Sequence, residues 1–409
     1  ALETDRSGFT EKEGVSTGSL RDERSFDINT VQTDWSYWWS DTVKLSAGAE
    51  FTHSSGDYDY VDEVEFDVIF LTPGSSLDRQ REREIHLRPD GDQFGTYASA
   101  LISVSDRLTA DIGMRWDWMS MQEVDENHWS PRLSARYALR DDTALRATWG
   151  RFYQFQGIDE LQVADGVTEY EKAQRADHYI LGLEHSTDFG VDVRLEAYYK
   201  DIDRLRPRYE NLLNTLILLP ELQPDRISIA PDKARARGIE FSLSSRGDSP
   251  LNWWASYAWS EVEDKLGGEY VRRSWDQDRA VSGGLSWRGA KWNFSIAGSW
   301  HSGWPTTEAE LLTEDPAVAI TGPRNDEELS DYKTLDFRIS RDYQLPASSL
   351  TAFFEVSNVF AKQNDCCIEY EVNDEDGEFQ LETEINEYLP AIPSIGFIWR
   401  FGDATPRRQ

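Results

Sequence analysis

Basic residues, cysteine and methionine are scarce in this chain of 409 residues. It contains 42 Lys and Arg against 75 Asp and Glu, which gives a formal net charge of −33 at pH 7. A nucleic-acid-binding protein presents a basic surface to the phosphate backbone, so this balance excludes nucleic acid as a partner. Aromatic residues are plentiful at 12 %, which distinguishes the chain from disordered acidic sequences.

Long apolar segments are also missing from the chain. The apolar run at residues 211–220 is too short for a membrane-spanning helix, which needs about 20 residues. The chain starts with Ala1 rather than Met and shows no basic-then-apolar signal segment. From these absences we expect either a removed leader or a missing N-terminal part, and the strand count below favours the second.

The dominant hydrophobic pattern has a period of two residues. Apolar and polar residues alternate at 108–118, 191–199, 238–245, 292–301 and 334–340. Such alternation predicts β-strands with one apolar face and one polar face. It does not by itself separate a soluble β protein from a membrane barrel.

The connections between the predicted strands separate these two classes. Short turns near residues 40–41, 141–142 and 288–289 alternate with connections of roughly 12 to 40 residues. Compact soluble domains rarely repeat such long loops, whereas outer-membrane barrels combine short periplasmic turns with long external loops. Trp and Tyr at the ends of the apolar faces match the aromatic belts of such barrels. The sequence therefore predicts an all-β, antiparallel transmembrane β-barrel, with a large soluble β protein as the alternative.

The predicted strand count is about fifteen, whereas bacterial single-chain barrels have an even number of strands. The first predicted strand starts near Ser25, and the last one starts near Ala391. We therefore expect residues 1–24 to be an external loop segment and residues 25–409 to be the C-terminal portion of the barrel. The odd count leads us to expect that the front of the barrel is absent.

Several blocks of the sequence resemble the C-terminal barrel half of TonB-dependent outer-membrane receptors. The blocks are SPRLSARYALRDDTALRATWGRFYQ from Ser130, RADHYILGLEH from Arg175, VDVRLEAYYKDIDRL from Val191, ARARGIEFSLS from Ala234, LTAFFEVSNVFAKQN from Leu350 and PSIGFIWRF from Pro393. The resemblance implies a barrel of about 22 strands, of which this chain supplies the last fifteen or so. The family's plug domain and TonB-contacting segment precede its barrel, and neither is found in this sequence.

The resemblance implies a receptor in the outer membrane of a Gram-negative bacterium. Its implied function is energy-coupled uptake of a scarce substrate: an oligosaccharide, a corrinoid, a metal chelate or a peptide. The implied partners are outer-membrane lipid and lipopolysaccharide, the substrate and, through a missing N-terminal region, the TonB complex. A passive porin-type channel is the alternative. Acid-rich loops such as residues 325–331 slightly favour neutral or cationic cargo over an anionic siderophore.

The sequence shows no pattern typical of an enzyme, a metal site or a cofactor site. Its six histidines are scattered, and GxSxG, HExxH, P-loop and GxGxxG motifs are absent. We therefore expect no catalytic residue, no metal and no cofactor. Aromatic and arginine side chains dominate molecular recognition in general. The candidate substrate-binding residues in the predicted loops are Tyr170, Tyr209, Trp304 and Arg324.

Charged residues recur on the polar face of the predicted strands, which we expect to line the barrel. This set comprises Arg115, Asp117, Arg132, Arg136, Arg146, Arg194, Glu196, Glu240, Asp336 and Arg338. The favoured interpretation is a hydrated wall whose charges pair with one another and with a plug. The alternative is that members near the external rim contact substrate.

The only two cysteines, Cys366 and Cys367, are adjacent and lie in the predicted final external loop. In an oxidising compartment they can pair. Their Cα atoms are about 3.8 Å apart across a trans peptide, closer than the usual disulfide spacing of about 4.4–6.8 Å. A strained vicinal disulfide is the favoured prediction. Free thiols and a metal site are the alternatives, and the metal site lacks further ligands nearby in sequence.

Overall fold

The computed structural model describes residues 2–12, 14–247, 249–314, 317–375 and 378–401, with the side chains of 314, 372–375 and 378–380 left undescribed. Its strands in chain order are β1 (Leu2–Lys12), β2 (Ser16–Ser40), β3 (Val43–Phe66), β4 (Val68–Leu71), β5 (Gln80–Leu87), β6 (Asp90–Ser105), β7 (Leu108–Met121), β8 (Val124–Arg140), β9 (Thr143–Gln154), β10 (Gln174–Ser186), β11 (Val191–Asp203), β12 (Arg208–Asn211), β13 (Arg226–Ile229), β14 (Lys233–Ser245), β15 (Leu251–Leu266), β16 (Glu269–Arg272), β17 (Arg279–Arg288), β18 (Trp292–His301), β19 (Pro305–Thr306), β20 (Ala309–Glu314), β21 (Ala317–Thr321), β22 (Glu327–Glu328), β23 (Tyr332–Leu345), β24 (Ser348–Ser357), β25 (Asp365–Glu375), β26 (Glu378–Glu387) and β27 (Ile392–Phe401).

Helical structure is limited to two short 3₁₀ turns, Val163–Asp165 and Pro220–Leu222, among the described residues. No helix in the described part of the chain is long and apolar enough to span a membrane.

One sheet of 18 strands dominates the molecule. Its strands pair in antiparallel register in the order β1, β2, β3, β6, β7, β8, β9, β10, β11, β14, β15, β17, β18, β23, β24 and β27, with β5 beside β3 and β16 beside β15. The prediction of an all-β antiparallel fold is confirmed. The strands β1, β5 and β16 were not predicted.

The two ends of this sheet differ in how its strands are connected. At one end, the short-turn end, tight turns join β2 to β3 at residues 41–42 and β8 to β9 at residues 141–142. At the other end, the loop end, long connections such as residues 155–173 join β9 to β10. The alternation of turns and loops follows the predicted pattern except between β7 and β8, which a two-residue turn at residues 122–123 joins at the loop end, where a long connection was predicted.

The long strand β2 shows where the loop end begins. From Ser16 to Phe26 the strand buries alternate positions, including Leu20 and Asp22, and from Asp27 to Ser40 every residue is exposed. At about 3.3 Å per residue the strand is on the order of 80 Å long, far more than a bilayer crossing requires. The first half of β2 pairs with β1 along residues 2–12. The assignment of residues 1–24 to an external segment stays a prediction. Within the predicted barrel portion, residues 25–409, the last eight residues, 402–409, lie outside the described residues.

Large apolar side chains are exposed along one face of the sheet. Examples spread over the strands are Trp35, Ile112, Tyr179, Leu285 and Phe397, each at least 45 % exposed. Exposed apolar surface of this extent is unfavourable in water and favourable against hydrocarbon. The arrangement is the one required of a wall that faces lipid.

Buried apolar side chains collect instead at the loop end, in three clusters. One cluster contains Val15, Phe70, Leu213 and Tyr370, where Phe70 and Tyr370 meet edge to face at 5.4 Å. The other two clusters are centred on Tyr58 with Met119 and on Val64 with Leu222. We refer to the connections packed around these clusters as the loop layer. It also contains a small sheet in which β21 pairs with β4 in parallel and with β20 in antiparallel register.

Candidate substrate site at the loop end

A cavity of about 830 Å³ opens where the loop layer meets the ends of β9, β10 and β11. We call it the rim cavity. Its wall combines aromatic side chains, such as Tyr153 and Tyr209, with the amides of Gln154, Gln156 and Gln174. Cavities of this size that mix apolar surface with convergent polar groups are typical of small-molecule sites.

Basic side chains outnumber carboxylates in the lining of the rim cavity. The basic members are Arg175, Lys200, Arg206, Arg208 and Arg273, whereas the carboxylates are Glu160 and Glu171. Low-dielectric walls that carry charge of one sign concentrate the field in a cleft. The lining side chains therefore include more basic than acidic groups.

Neighbouring carboxylates hold most of these cations in place. Arg206 donates to Glu160 across 2.8 Å, and Arg273 pairs with Asp264 at 2.9 Å. Lys200 is different, because within the described residues it has no carboxylate at ion-pair distance; its Nζ lies 5.5 Å from the centre of the Tyr198 ring. Lys200 is consequently the basic group of the cavity whose charge is least compensated.

A second cavity of about 880 Å³ continues from the rim cavity down the polar face of the sheet. We call it the wall cavity. The two cavities share Phe152, Tyr153, Gln154 and Glu160 in their linings. The wall cavity reaches Lys44 beside the short-turn end. A polar path thus runs along the inner wall from the loop end towards the short-turn end.

Most of the charged residues predicted to line this wall have an ionic or hydrogen-bond partner, whereas Arg132, Glu196 and Glu240 have no ion pair within the described part of the chain. Arg115 donates to Asp117 across 2.6 Å, and Arg338 donates to Glu355 across 2.7 Å. Glu184 sits among three arginines at distances of 3.5, 2.9 and 3.1 Å: Arg136, Arg146 and Arg194. Exposed ion pairs contribute little stability individually, so this wall is better described as a hydrated, charge-balanced surface.

Among the predicted substrate-binding residues, Arg324 lies in a buried ionic cluster. Its side chain is 12 % exposed and donates to Glu210 across 2.8 Å and to Ser274 across 3.3 Å. Burial lowers the pKa of the Arg324 guanidinium from its ordinary value. Burial alone raises the pKa of Glu210, but the charges of Arg324 and Arg208 outweigh it and lower that pKa overall. These contacts tie Arg324 into the loop layer.

Trp304 is the centre of an aromatic cluster beside this ionic cluster. Its ring meets Trp275 edge to face at 4.8 Å, stacks with His301 at 5.4 Å and meets Tyr388 edge to face at 6.0 Å. Its buried Nε1 has no hydrogen-bond partner among the described residues. Trp275 is 47 % exposed, so the cluster presents an aromatic surface to the outside.

The two predicted tyrosines occupy different environments. Tyr209 lines the rim cavity, with the Arg226 guanidinium 6.0 Å from its ring centre. Tyr170 is buried in the cluster around Tyr58, and both hydroxyl groups donate to the carbonyl oxygen of Ile158, at 2.8 and 2.6 Å. Burial raises the pKa of Tyr58 to about 12 and also raises the pKa of Tyr170. The described contacts of Tyr170 give it a packing role, and its contact with substrate stays a prediction.

The structure thus brings some of the predicted residues together. Arg324 contacts Ser274, and the next residue, Trp275, contacts Trp304. The predicted residues Arg324 and Trp304 therefore both pack against the loop that contains Ser274 and Trp275. Glu210, the ionic partner of Arg324, follows Tyr209 in β12. Tyr170 belongs to a separate cluster.

The two cysteines are free thiols whose sulfur atoms lie 2.7 Å apart. Cys367 is buried and Cys366 is half-buried. The vicinal disulfide therefore stays a prediction. Among the residues that the structure describes, no group of three or more His, Cys, Asp or Glu side chains is arranged to hold a metal ion.

The basic residues of the rim cavity were missed by sequence reasoning. Arg206 and Arg208 stand in the same segment as the predicted Tyr209, and Arg175 and Lys200 lie near the loop-end termini of β10 and β11. The position of Lys200 at the loop end of the polar face of β11 is a signal that sequence reasoning can use, whereas Arg175 falls on the face of β10 that carries Tyr179 and Leu181. Arg273 carries no such signal, because its loop has no alternation from which to infer a direction.

Comparison with known proteins identifies the family of this fold. A sequence model described as TonB dependent receptor-like, beta-barrel, matches residues 3–359. No curated protein sequence gives a significant match. The match extends over most of the main sheet, from β1 to the end of β24.

Several solved structures share the architecture. The ferripyoverdine receptor of the outer membrane of Pseudomonas aeruginosa has a TM-score of 0.60 and 15 % identity, over 98 % of this chain and 52 % of that chain. The ferric citrate transporter FecA has a TM-score of 0.61 and 15 % identity, over 97 % of this chain and 57 % of that chain. The ferric-catecholate import receptor Fiu from E. coli K12 has a TM-score of 0.62 and 12 % identity, over 97 % of this chain and 60 % of that chain.

These similarities agree with the sequence match. At such low identity they establish the fold, and the chain spans between 52 % and 60 % of the length of these proteins. The exposed apolar face, the polar inner wall and the alternation of turns with long loops are features of transmembrane barrels. The chain belongs to the TonB-dependent receptor family of Gram-negative outer-membrane β-barrels, and its main sheet corresponds to the β-barrel domain of that family.

Proposed function

We propose that this chain is part of a receptor for energy-coupled uptake of a small, scarce substrate across the outer membrane. The observation that carries the proposal is the rim cavity, which lies at the loop end of the sheet and continues into the wall cavity. In a barrel of this family the loop end faces the outside, so cargo enters the rim cavity first. Coupling to the TonB complex rests on family membership.

A metal chelate with anionic groups is the first candidate among the proposed substrates. The five basic side chains of the rim cavity, and Lys200 in particular, support this choice. The relatives described as a ferric citrate transporter and a ferripyoverdine receptor support it as well. The acid-rich loops favoured neutral or cationic cargo, but the lining of the cavity is the surface that the cargo contacts. Oligosaccharides, corrinoids and peptides are the other candidates.

The exposed apolar face supports outer-membrane lipid as a partner of the barrel. Trp35, Trp39 and Trp287 lie towards the short-turn end of their strands, where an aromatic belt meets the headgroups. Lipopolysaccharide is the proposed partner in the outer leaflet. The proposed location is therefore the outer membrane of a Gram-negative bacterium.

Growth of a deletion strain tests the uptake proposal. We expect the strain to lose growth on one substrate class from a panel of ferric chelates, corrinoids, oligosaccharides and peptides, and to regain it when the full-length gene is restored. Dissipation of the proton gradient should abolish this uptake while binding to the cells persists. Growth on every panel member without the gene would argue against a receptor function.

A liposome swelling assay tests the alternative of a passive porin-type channel. An uptake receptor should leave vesicles containing the full-length protein impermeable to free sugars. Swelling in sugar solutions at a rate typical of porins would favour the channel instead.

A further inference from the structure

The adjacent thiols of Cys366 and Cys367 lie in an unusual arrangement at the start of β25. In a regular strand, successive side chains point to opposite faces of the sheet, so neighbouring thiols cannot meet. Here the two sulfur atoms are 2.7 Å apart. The strand must therefore depart from regular geometry at this point.

The departure is a β-bulge. Asp365 pairs with Glu387 and Cys367 pairs with Asn386, which leaves Cys366 as the extra residue between consecutive partners of β26. A bulge inserts one unpaired residue and locally turns its side chain. The bulge thereby places both thiols on the same side of the strand.

Contacts on both sides of the pair fix this geometry. Before it, the Asn364 side chain accepts from the backbone of Lys333 across 2.8 Å and donates to the Lys333 carbonyl oxygen across 3.0 Å. After it, the Tyr370 hydroxyl donates to Asp225 across 3.3 Å within a buried cluster. The thiols are held together by the loop layer, so little further ordering is needed for them to react with each other.

The two thiols differ in accessibility. Cys366 is half-buried and reachable from outside, whereas Cys367 is 7 % exposed. Burial, reinforced by the hydrogen bond that the two thiols share and by the charge of an ionised Cys366, raises the pKa of the Cys367 thiol. Because the thiolate is the nucleophile in disulfide exchange, Cys366 is the thiol that reacts first.

We propose that Cys366 and Cys367 form a reversible two-thiol redox site that reacts with small organic disulfides at the cell surface. The Cys366 thiolate attacks one sulfur of the organic disulfide, which forms a mixed disulfide and releases one thiolate. The Cys367 sulfur then loses its proton and attacks the Cys366 sulfur, which releases the second thiolate. The two protein thiols are oxidised to one disulfide, and the organic disulfide is reduced to two thiols that take up the two protons.

The product disulfide is readily reversed. The Cα atoms of adjacent residues are about 3.8 Å apart, below the usual disulfide range of about 4.4–6.8 Å, and such strain makes the bond more reducible. Strained and exposed disulfides have the more oxidising potentials typical of labile bonds. The site therefore responds to the surrounding thiol–disulfide balance, independently of which cargo the receptor takes.

Mass spectrometry of the full-length protein in detergent tests this proposal with oxidised glutathione as the probe. The tryptic peptide of residues 363–400 contains both cysteines of the chain. In the wild type we expect this peptide to lose the mass of two hydrogen atoms, to resist iodoacetamide, and to return to its original mass with reduced glutathione. Cys367→Ser should instead accumulate one glutathione on Cys366, and Cys366→Ser should remain unmodified over the same time.

Heat-modifiable migration of each variant on a gel shows that its barrel is intact before the reaction. The proposal is overturned if both wild-type thiols stay open to iodoacetamide after the treatment. It is also overturned if the wild type accumulates the mixed disulfide to the same extent as Cys367→Ser, because Cys367 then does not resolve it.

Discussion

The Arg324 guanidinium donates a hydrogen bond to the Glu210 carboxylate across 2.8 Å and so joins two loops that are 114 residues apart in the chain. Both side chains are largely buried. Removing one partner of a buried ion pair is costly, because the remaining charge loses its compensation. The pair therefore stabilises the packing of two connections within the loop layer, next to the proposed path of the cargo.

Arg324→Ala should remove this ion pair and weaken the packing of the two connections. We expect the free energy of local opening to fall by about 3 kcal/mol, at the low end for a broken buried pair, because Glu210 keeps Arg208 as a partner. Hydrogen exchange at residues 208–211 and 321–325 measures the effect. Arg246→Ala is the control, because its pair with Asp192 is about half exposed and contributes at most about 1 kcal/mol. Equal protection in the two variants would contradict the structural role of Arg324.

The loop around Asp276 should be less stable at neutral than at mildly acidic pH. Asp276 is 1 % exposed and accepts a hydrogen bond from the Val262 backbone across 2.9 Å. Burial raises the pKa of its carboxyl from 3.8 to about 6. The folded loop therefore binds a proton more tightly than the unfolded one does. Its extra stability is complete below pH of about 4 and lost as the pH rises through about 6.

The size of this effect is on the order of 2–3 kcal/mol. Hydrogen exchange of residues 262–278, corrected for the intrinsic effect of pH, measures it. Asp276→Asn should remove the pH dependence, since the amide is neutral throughout and its oxygen still accepts from Val262. Asp106→Asn, in an exposed short turn, is the control. An unchanged pH profile in Asp276→Asn would show that another group titrates.

Gly303→Ala should disrupt the surroundings of Trp304. A Cβ at position 303 would overlap the carbonyl oxygen of Leu329, and the Leu329 amide donates to the Trp304 carbonyl oxygen across 2.9 Å. The backbone must shift, because the obstacle is another backbone atom. We expect at least ten-fold faster hydrogen exchange at residues 302–306, equivalent to about 1.4 kcal/mol.

Gly322→Ala is the matched control for this variant. A Cβ at position 322 meets only the Cβ of Glu308, at 4.0 Å, which is an ordinary contact distance. We expect its hydrogen exchange to match the wild type. Protection of residues 302–306 that is the same in both variants would argue against the close approach at Gly303.

The barrel strands could be predicted from the sequence because each strand has one apolar face and one polar face, so its residues alternate between the two types. The alternation at residues 292–301 and 334–340 follows directly from lipid on one face and a hydrated wall on the other. The segments of the loop layer show no such alternation. Ala317 pairs in parallel register with Val68, which lies in a loop far away in sequence. Neither segment has a sequence pattern from which this pairing can be predicted.

The candidate site was predicted only in part for the same reason. Tyr209 and Arg324 were chosen because aromatic and arginine side chains dominate recognition. Their partners, such as Glu210 for Arg324, depend on how distant loops pack against one another. Residue type predicts the chemistry of a loop side chain, whereas only tertiary packing decides whether it faces the cargo or the protein.

The most direct test of the central claim is uptake of radiolabelled ferric chelates by cells that carry the full-length gene with Lys200→Glu. The wild type should take up at least one anionic chelate. Reversal of the uncompensated charge of Lys200 in the rim cavity should reduce that uptake at least ten-fold, or about 1.4 kcal/mol. Lys233→Glu, exposed at the loop end and outside both cavity linings, should leave it unchanged. Equal uptake by the two variants, at equal amounts in the outer membrane, would contradict the rim cavity as the site of cargo binding.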